Sequence, residues 1–151
     1  MGSGSETAMK SDKIRVLFVC TGNSARSQMA EAFLRQYGGD RYEAYSAGLQ
    51  PGQVHPLTIQ VMQEIGIDMS AHRSKSVQEY LGKIRFGYVI TVCSHAEQNC
   101  PFIPGAGTRL HWPFDDPAAV TGSQAEKLEK FRQVRGEIKA HILTWLALTE
   151  I

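Results

Sequence analysis

The chain is short of several things, and each shortage narrows what it can be. It has no excess of one charge: 16 Lys and Arg against 15 Asp and Glu leave a net +1. Such a balance gives no general pull towards nucleic acid or an anionic membrane surface. Any affinity for an anion must therefore be local. No apolar run approaches the ~20 residues that cross a bilayer, so neither nucleic acid nor membrane is an expected partner. Cysteine is scarce and odd in number, 3 in 151 residues. Three thiols make no disulfide scaffold; they point to catalysis, redox work, metal, or plain core packing. Internal repeats, low-complexity tracts and interdomain linkers are also lacking.

What is present is ordinary: 42% hydrophobic and 21% charged residues, at a length that suits one domain with a real core. Residues 1–12 have no apolar stretch of the kind that defines an export signal. They are expected to be a flexible leader or an expression remnant, with Met9 a plausible native start, and residues 13–151 are taken as the domain. With no export signal expected, the compartment is taken as the cytoplasm, where thiols stay reduced. A monomer is expected.

Ile14–Cys20 is a nearly continuous apolar run, as a strand buried on both faces should be. A loop with Gly22, Asn23 and Ser24 follows, then a helix from a capping-type Ser27 to Tyr37, stopped by Gly38-Gly39. Tyr42–Ser46 reads as a second strand. His55–Ile65 reads as a helix with Pro56 near its start and Gly66 behind it. A short helix is expected over 76–81, and a buried strand over Tyr88–Cys93. Residues 94–107 read as loop, Thr108–Trp112 as a last strand and Pro113–Pro117 as turn. From Ser123 to about Leu148, Leu128, Phe131, Val134, Ile138, Ile142 and Trp145 form one apolar stripe on a long helix.

Alternating strands and helices predict an α/β fold, a single doubly wound domain with a central four-stranded parallel sheet flanked by helices. Ligands of such sheets bind beyond the carboxyl ends of the strands. Cys20 and Cys93 both fall at such ends.

The segment Cys20-Thr21-Gly22-Asn23-Ser24-Ala25-Arg26-Ser27 joins the first strand to the first helix. Consecutive backbone N–H groups in a tight loop cradle an anion, and the helix N-terminus adds the positive end of its dipole. Gly22 and Asn23 tolerate the positive φ such a loop needs. Arg26 offers a fork of donors to two oxygens of a tetrahedral ion. The same positive surroundings favour a thiolate at Cys20, and Ser27 can donate a hydrogen bond to it. A buried, inert Cys20 beside a solvated Arg26 is the plainer alternative, which the strand–loop–helix context disfavours.

Val19-Cys-Thr-Gly-Asn-Ser-Ala-Arg-Ser-Gln-Met-Ala-Glu31 resembles the signature of the low-molecular-weight tyrosine phosphatase superfamily, and more closely that of its thioredoxin-coupled arsenate reductases. The resemblance continues in Tyr45-Ser-Ala-Gly48, Ile65–Ser70, Val92–Pro101, His111–Pro117 and Phe131–Ile138. It implies a shared general acid, Asp116 before Pro117, with Asp115 the runner-up. Phosphatases of this size follow that Asp-Pro with aromatic residues; here Ala118-Ala119 stand instead, and residues 49–54 supply no aromatic either. Thr21 and Ser24 are as in the reductases.

Cys93-(x6)-Cys100 matches the reductases' redox pair. The resemblance implies that Cys20 attacks arsenate, that Cys93 then attacks Cys20, and that Cys100 attacks Cys93. The resulting Cys93–Cys100 disulfide is left for an external thiol reductant, a thioredoxin-like partner. Such a disulfide needs Cα atoms within about 7 Å, so a mobile segment over roughly 93–107 is expected. A phosphomonoesterase acting through a Cys20-phosphate is the alternative, and phosphate the alternative ligand. Metal at Cys93, His95 and Cys100 is disfavoured by the spacing, and no cofactor is expected.

The pattern departs from the family at two places. Ala25 stands where a further cysteine is common. Some reductases hold potassium behind the loop with an Asn, a Glu, a Ser and a carboxylate; Asn23, Glu31 and Ser46 match, but Lys75 takes the fourth place, so no potassium site is expected. His72, His111, His141, Trp112 and Trp145 are read as structural.

Overall fold

Strand β1, Ile14–Cys20, forms where the sequence is apolar without alternation, and residues 16–20 are buried on both faces. In the computed structural model, residues 13–100, 103 and 105–149 are described. The leader 1–12 lies outside them, as do Pro101, Phe102 and Pro104 of the segment expected to move.

Helix α1 spans Arg26–Tyr37, β2 Tyr42–Gly48, α2 Pro56–Gln63, β3 Tyr88–Thr91, α3 Ser94–Asn99, β4 Thr108–His111 and α4 Gln124–Thr149. The sheet is four-stranded in the order β2-β1-β3-β4. All three pairings are parallel, with Cys20 opposite Gly48 and Val19 opposite Thr91. The chain winds outward on either side of β1, so the topological switch point lies between β1 and β3. Sheets of this kind take their ligands at that point, beyond the carboxyl ends of the strands.

The stripe on α4 is buried as its spacing demands: Phe131, Val134, Ile138, Ile142 and Trp145 face inward, with Leu128 packed at the edge. Trp112 and Trp145 meet edge to face at 5.7 Å in the core. His141 packs tilted against Trp112 at 4.5 Å, and burial holds its imidazole below the ordinary range.

Four local expectations need correction. Residues 94–107 are not all loop: Ser94–Asn99 is helical, because Cys93 Sγ accepts the Ala96 N–H at 3.3 Å as an N-cap and Ala96 is fully buried. Residues 76–81 make only a 3-10 turn over Val77–Glu79, closed by bonds such as Tyr80 N–H to the Val77 carbonyl at 3.1 Å. Ser27 does not cap α1; it lies inside the first turn, fully buried, with its hydroxyl turned to Cys20. The third strand also stops at Thr91, two residues before Cys93.

Candidate active site

The loop between β1 and α1 is moulded around Asn23. It is the one non-glycine residue with positive φ (51°) among the described residues, and it is fully buried. Its side-chain amide donates to Ser27 Oγ at 2.8 Å and Ser46 Oγ at 2.9 Å. Its carbonyl oxygen accepts from the Lys75 N–H at 2.8 Å and Gln28 Nε2 at 3.0 Å. With hydroxyls on one side and N–H donors on the other, only one orientation of the amide fits.

That orientation decides the proton on Ser27. Its oxygen already accepts from Asn23, so its own O–H is free to point at Cys20 Sγ, 2.8 Å away. The Asn23 backbone N–H donates to the same sulfur at 3.2 Å. Two donors thus converge on a buried sulfur at the N-terminus of α1.

Arg26 runs back over the loop. Its Nη1 donates to the Phe114 carbonyl at 3.1 Å, and its Nη2 lies 3.8 Å from Asp116 Oδ2. Asp116 caps the 3-10 turn Pro117–Ala119 by accepting the Ala118 N–H at 3.0 Å. Asp115 instead pairs with Lys130 of α4 at 2.9 Å and is 72% exposed. Of the two carboxylates, Asp116 is therefore the one beside the anion loop's arginine.

Cys93 sits across the switch point. Its sulfur is 3.6 Å from Thr21 Oγ1, inside the anion loop. All three cysteines are free, Cys20 and Cys93 buried and Cys100 half-buried. Cys100 closes the far end of α3, and burial pushes its thiol up while Arg109 opposes the shift. The structure thus sets Cys93 against the Cys20 loop and Asp116 beside that loop's Arg26, and leaves Cys100 a helix away.

Behind the loop, Glu31 accepts from Ser46 Oγ and, at 2.6 Å, from Arg35 Nη2. Lys75 Nζ lies 3.6 Å from Glu31, 3.4 Å from Ser46 Oγ and 2.9 Å from the Arg73 carbonyl. Its ammonium fills the space among the very groups that would ligate a cation, and burial holds it below the ordinary lysine range. Among the described residues no three His, Cys, Asp or Glu side chains are grouped to hold a metal. His72 bonds Gln28 Oε1 at 3.0 Å, and His111 Nδ1 meets Thr91 Oγ1 at 2.9 Å.

Two contributors were not read from the sequence. Gln28 is fully buried and donates to the Asn23 and Arg73 carbonyls; its one sequence signal is a polar residue on the inward face of α1. Gly48 presses its backbone against the loop, and only a three-dimensional neighbour reveals why it lacks a side chain.

Fold and loop together define a class: a buried cysteine heading a tight strand-to-helix loop at the switch point of a four-stranded parallel sheet. The family model of the low molecular weight phosphotyrosine protein phosphatases matches residues 15–151. The chain is 46% identical over 131 residues to an arsenate reductase of Halalkalibacterium halodurans, covering 86% of this chain and 93% of that one. It superposes on an arsenate reductase solved in the phosphate-binding state with a TM-score of 0.73 and 32% identity, covering 89% of this chain and 97% of the other. The thioredoxin-dependent arsenate reductase of Corynebacterium glutamicum aligns with a TM-score of 0.65 at 28% identity, over 96% of this chain and 67% of that one.

The chain therefore belongs to the low molecular weight phosphotyrosine protein phosphatase family, and within it to the arsenate reductases. No helix among the described residues is long and apolar enough to cross a membrane.

Proposed function

We propose that this chain reduces arsenate to arsenite through three cysteines used in turn. Arsenate lies on the N–H groups of residues 21–27 with Arg26 on two of its oxygens. The Cys20 thiolate attacks arsenic while Asp116 protonates the departing oxygen as water. Cys93 then attacks the Cys20 sulfur, forming the Cys20–Cys93 bond; the Cys20–arsenic pair of electrons stays on arsenic, which leaves as arsenite. Cys100 attacks Cys93, expels Cys20 as thiolate, and leaves a Cys93–Cys100 disulfide for a thioredoxin-like dithiol to reduce.

The observation that carries this reading is the placement of a second free thiol, Cys93, 3.6 Å from a side chain of the nucleophile's own loop. A phosphatase needs no sulfur there. The loop with Arg26 and Asp116 also suffices for a Cys20-phosphate intermediate, so slow hydrolysis of a small aryl phosphate is the second activity it supports. Lys75, already paired with Glu31, makes a separate potassium ion unnecessary behind the loop.

The test is arsenate turnover with thioredoxin, thioredoxin reductase and NADPH. Cys20→Ser should abolish turnover and ester hydrolysis alike. Cys93→Ser and Cys100→Ser should abolish turnover and keep hydrolysis, and potassium in place of choline should change nothing. Multiple turnover without Cys93 or Cys100 would refute the cascade.

A further inference from the structure

Helix α3 separates the two sulfurs that must join. Cys93 is its N-cap and Cys100 its C-cap, and seven residue steps at about 1.5 Å put their Cα atoms about 10 Å apart. A disulfide needs about 7 Å or less, so the helix must open before Cys100 reaches Cys93. A helix of six residues has little stability of its own, and of its side chains only Ala96 is buried.

What holds it is a polar contact from the neighbouring strands. Glu97 Oε1 accepts from Thr91 Oγ1 of β3 at 2.9 Å and from Arg109 Nε and Nη2 of β4, each at 3.3 Å. Arg109 Nη2 also donates to the Glu97 backbone carbonyl at 2.9 Å, gripping the helix by its main chain. The Thr91 hydroxyl has one proton; with it on Glu97, His111 Nδ1 at 2.9 Å must be the donor to Thr91. Glu97 is held below the ordinary carboxylate range, first by the Thr91 hydroxyl and then by Arg109, as an engaged carboxylate should be.

We propose that Thr91, Glu97 and Arg109 form a latch that pins α3 closed and thereby sets when Cys100 can attack Cys93. They act as positioning residues, since none touches the oxyanion. In the step they govern, the Cys100 thiol gives its proton to solvent and its sulfur bonds Cys93. The Cys20–Cys93 bond breaks, and its electron pair leaves on Cys20. While the latch holds, Cys93 stays beside Thr21, ready for Cys20, and Cys100 stays packed in its protonated form. A premature Cys93–Cys100 bond, which would remove Cys93 before arsenate has reacted, is thereby disfavoured.

The inference rests on the Cys93–Cys100 exchange proposed above, but its test needs no arsenate. In a Cys20→Ser background the Cys93–Cys100 pair is equilibrated with a dithiothreitol redox buffer, and the fraction oxidised is read by thiol trapping. Glu97→Ala and Arg109→Met should each shift the equilibrium towards the disulfide by about three- to tenfold. At 29.6 mV per decade for a two-electron couple this lowers the potential by about 14 to 30 mV. The isosteric Glu97→Gln should give a smaller shift in the same direction. The double variant should move further than either single one but by less than their sum, because the Glu97–Arg109 side-chain pair is lost in both, while the Thr91 bond and the Arg109 bond to the Glu97 carbonyl are each lost in only one.

Constants unchanged in both single variants, or fully additive shifts, would overturn the latch. A merely structural role would move the urea midpoint and leave the thiol–disulfide constant in place. If arsenate turnover fails in the parent protein while the shifts appear, the reductase cascade falls and the latch stands.

Discussion

Gly48 has no room for a side chain. A Cβ built there would lie 2.7 Å from the Thr21 carbonyl oxygen and 2.9 Å from the Asn23 nitrogen. Its neighbours are backbone atoms of the anion loop, which cannot step aside without spoiling the cradle. Gly48→Ala should therefore cost about 1 to 3 kcal/mol of stability and weaken phosphate binding at least tenfold, read by thermal unfolding with and without phosphate. Ordinary stability together with ordinary phosphate affinity would contradict this account of the loop. Gly48 also shows why the site was only partly legible. The expectation for Cys20 to Arg26 could be formed at all because oxyanion chemistry asks for those residue types in one contiguous stretch. Gly48 acts through close approach from distant sequence, and Gln28 ties the loop to Arg73 and His72 more than forty residues on, links that no local pattern encodes. Asp116 over Asp115 was likewise a matter of neighbours, Arg26 for one and Lys130 for the other.

At the scale of elements, the join of α2 to α4 turns on Glu64, the C-cap of α2. Arg132 reaches it at 2.7 Å and Arg135 at 2.8 Å, and Arg135 also donates to the Val61 carbonyl at 2.7 Å. Hydrogen bonding from Arg132, then Arg135, pulls Glu64 from 4.5 to about 2. The folded state thus binds its proton less readily than the unfolded chain does, so the contribution is fully present above pH 4.5 and is lost as pH falls towards about 2. Glu64→Gln should be less stable than the parent protein at neutral pH, and the gap should close through that acid window in parallel urea titrations. A gap that does not change with pH would assign Glu64 a packing role only. Long elements such as α4 were legible because six periodic apolar residues outvote any local ambiguity. The short ones were not: a cap supplied by a cysteine thiol turned part of an expected loop into α3, and one serine cap made a 3-10 turn of an expected helix.

For the whole molecule, alternation of strand and helix sufficed to foresee a parallel sheet, but strand order had to come from packing. That order, β2-β1-β3-β4, has a consequence in time. Every strand pairing is parallel and joins segments far apart in the chain, so folding must close long loops before any ladder is rewarded. Cys20 is synthesised more than seventy residues before Cys93 reaches its side. Until then three thiols share an unfolded chain with no geometry to choose among them. Refolding from urea with excess reductant should recover the native protein, whereas refolding in air should yield mixed disulfides, separable by non-reducing electrophoresis and restored by later reduction. Full recovery without reductant would show that the sheet closes faster than its sulfurs find one another. The thiols on which the proposed catalysis depends are thus free to mispair during assembly, and reductant is expected to matter to folding before it matters to turnover.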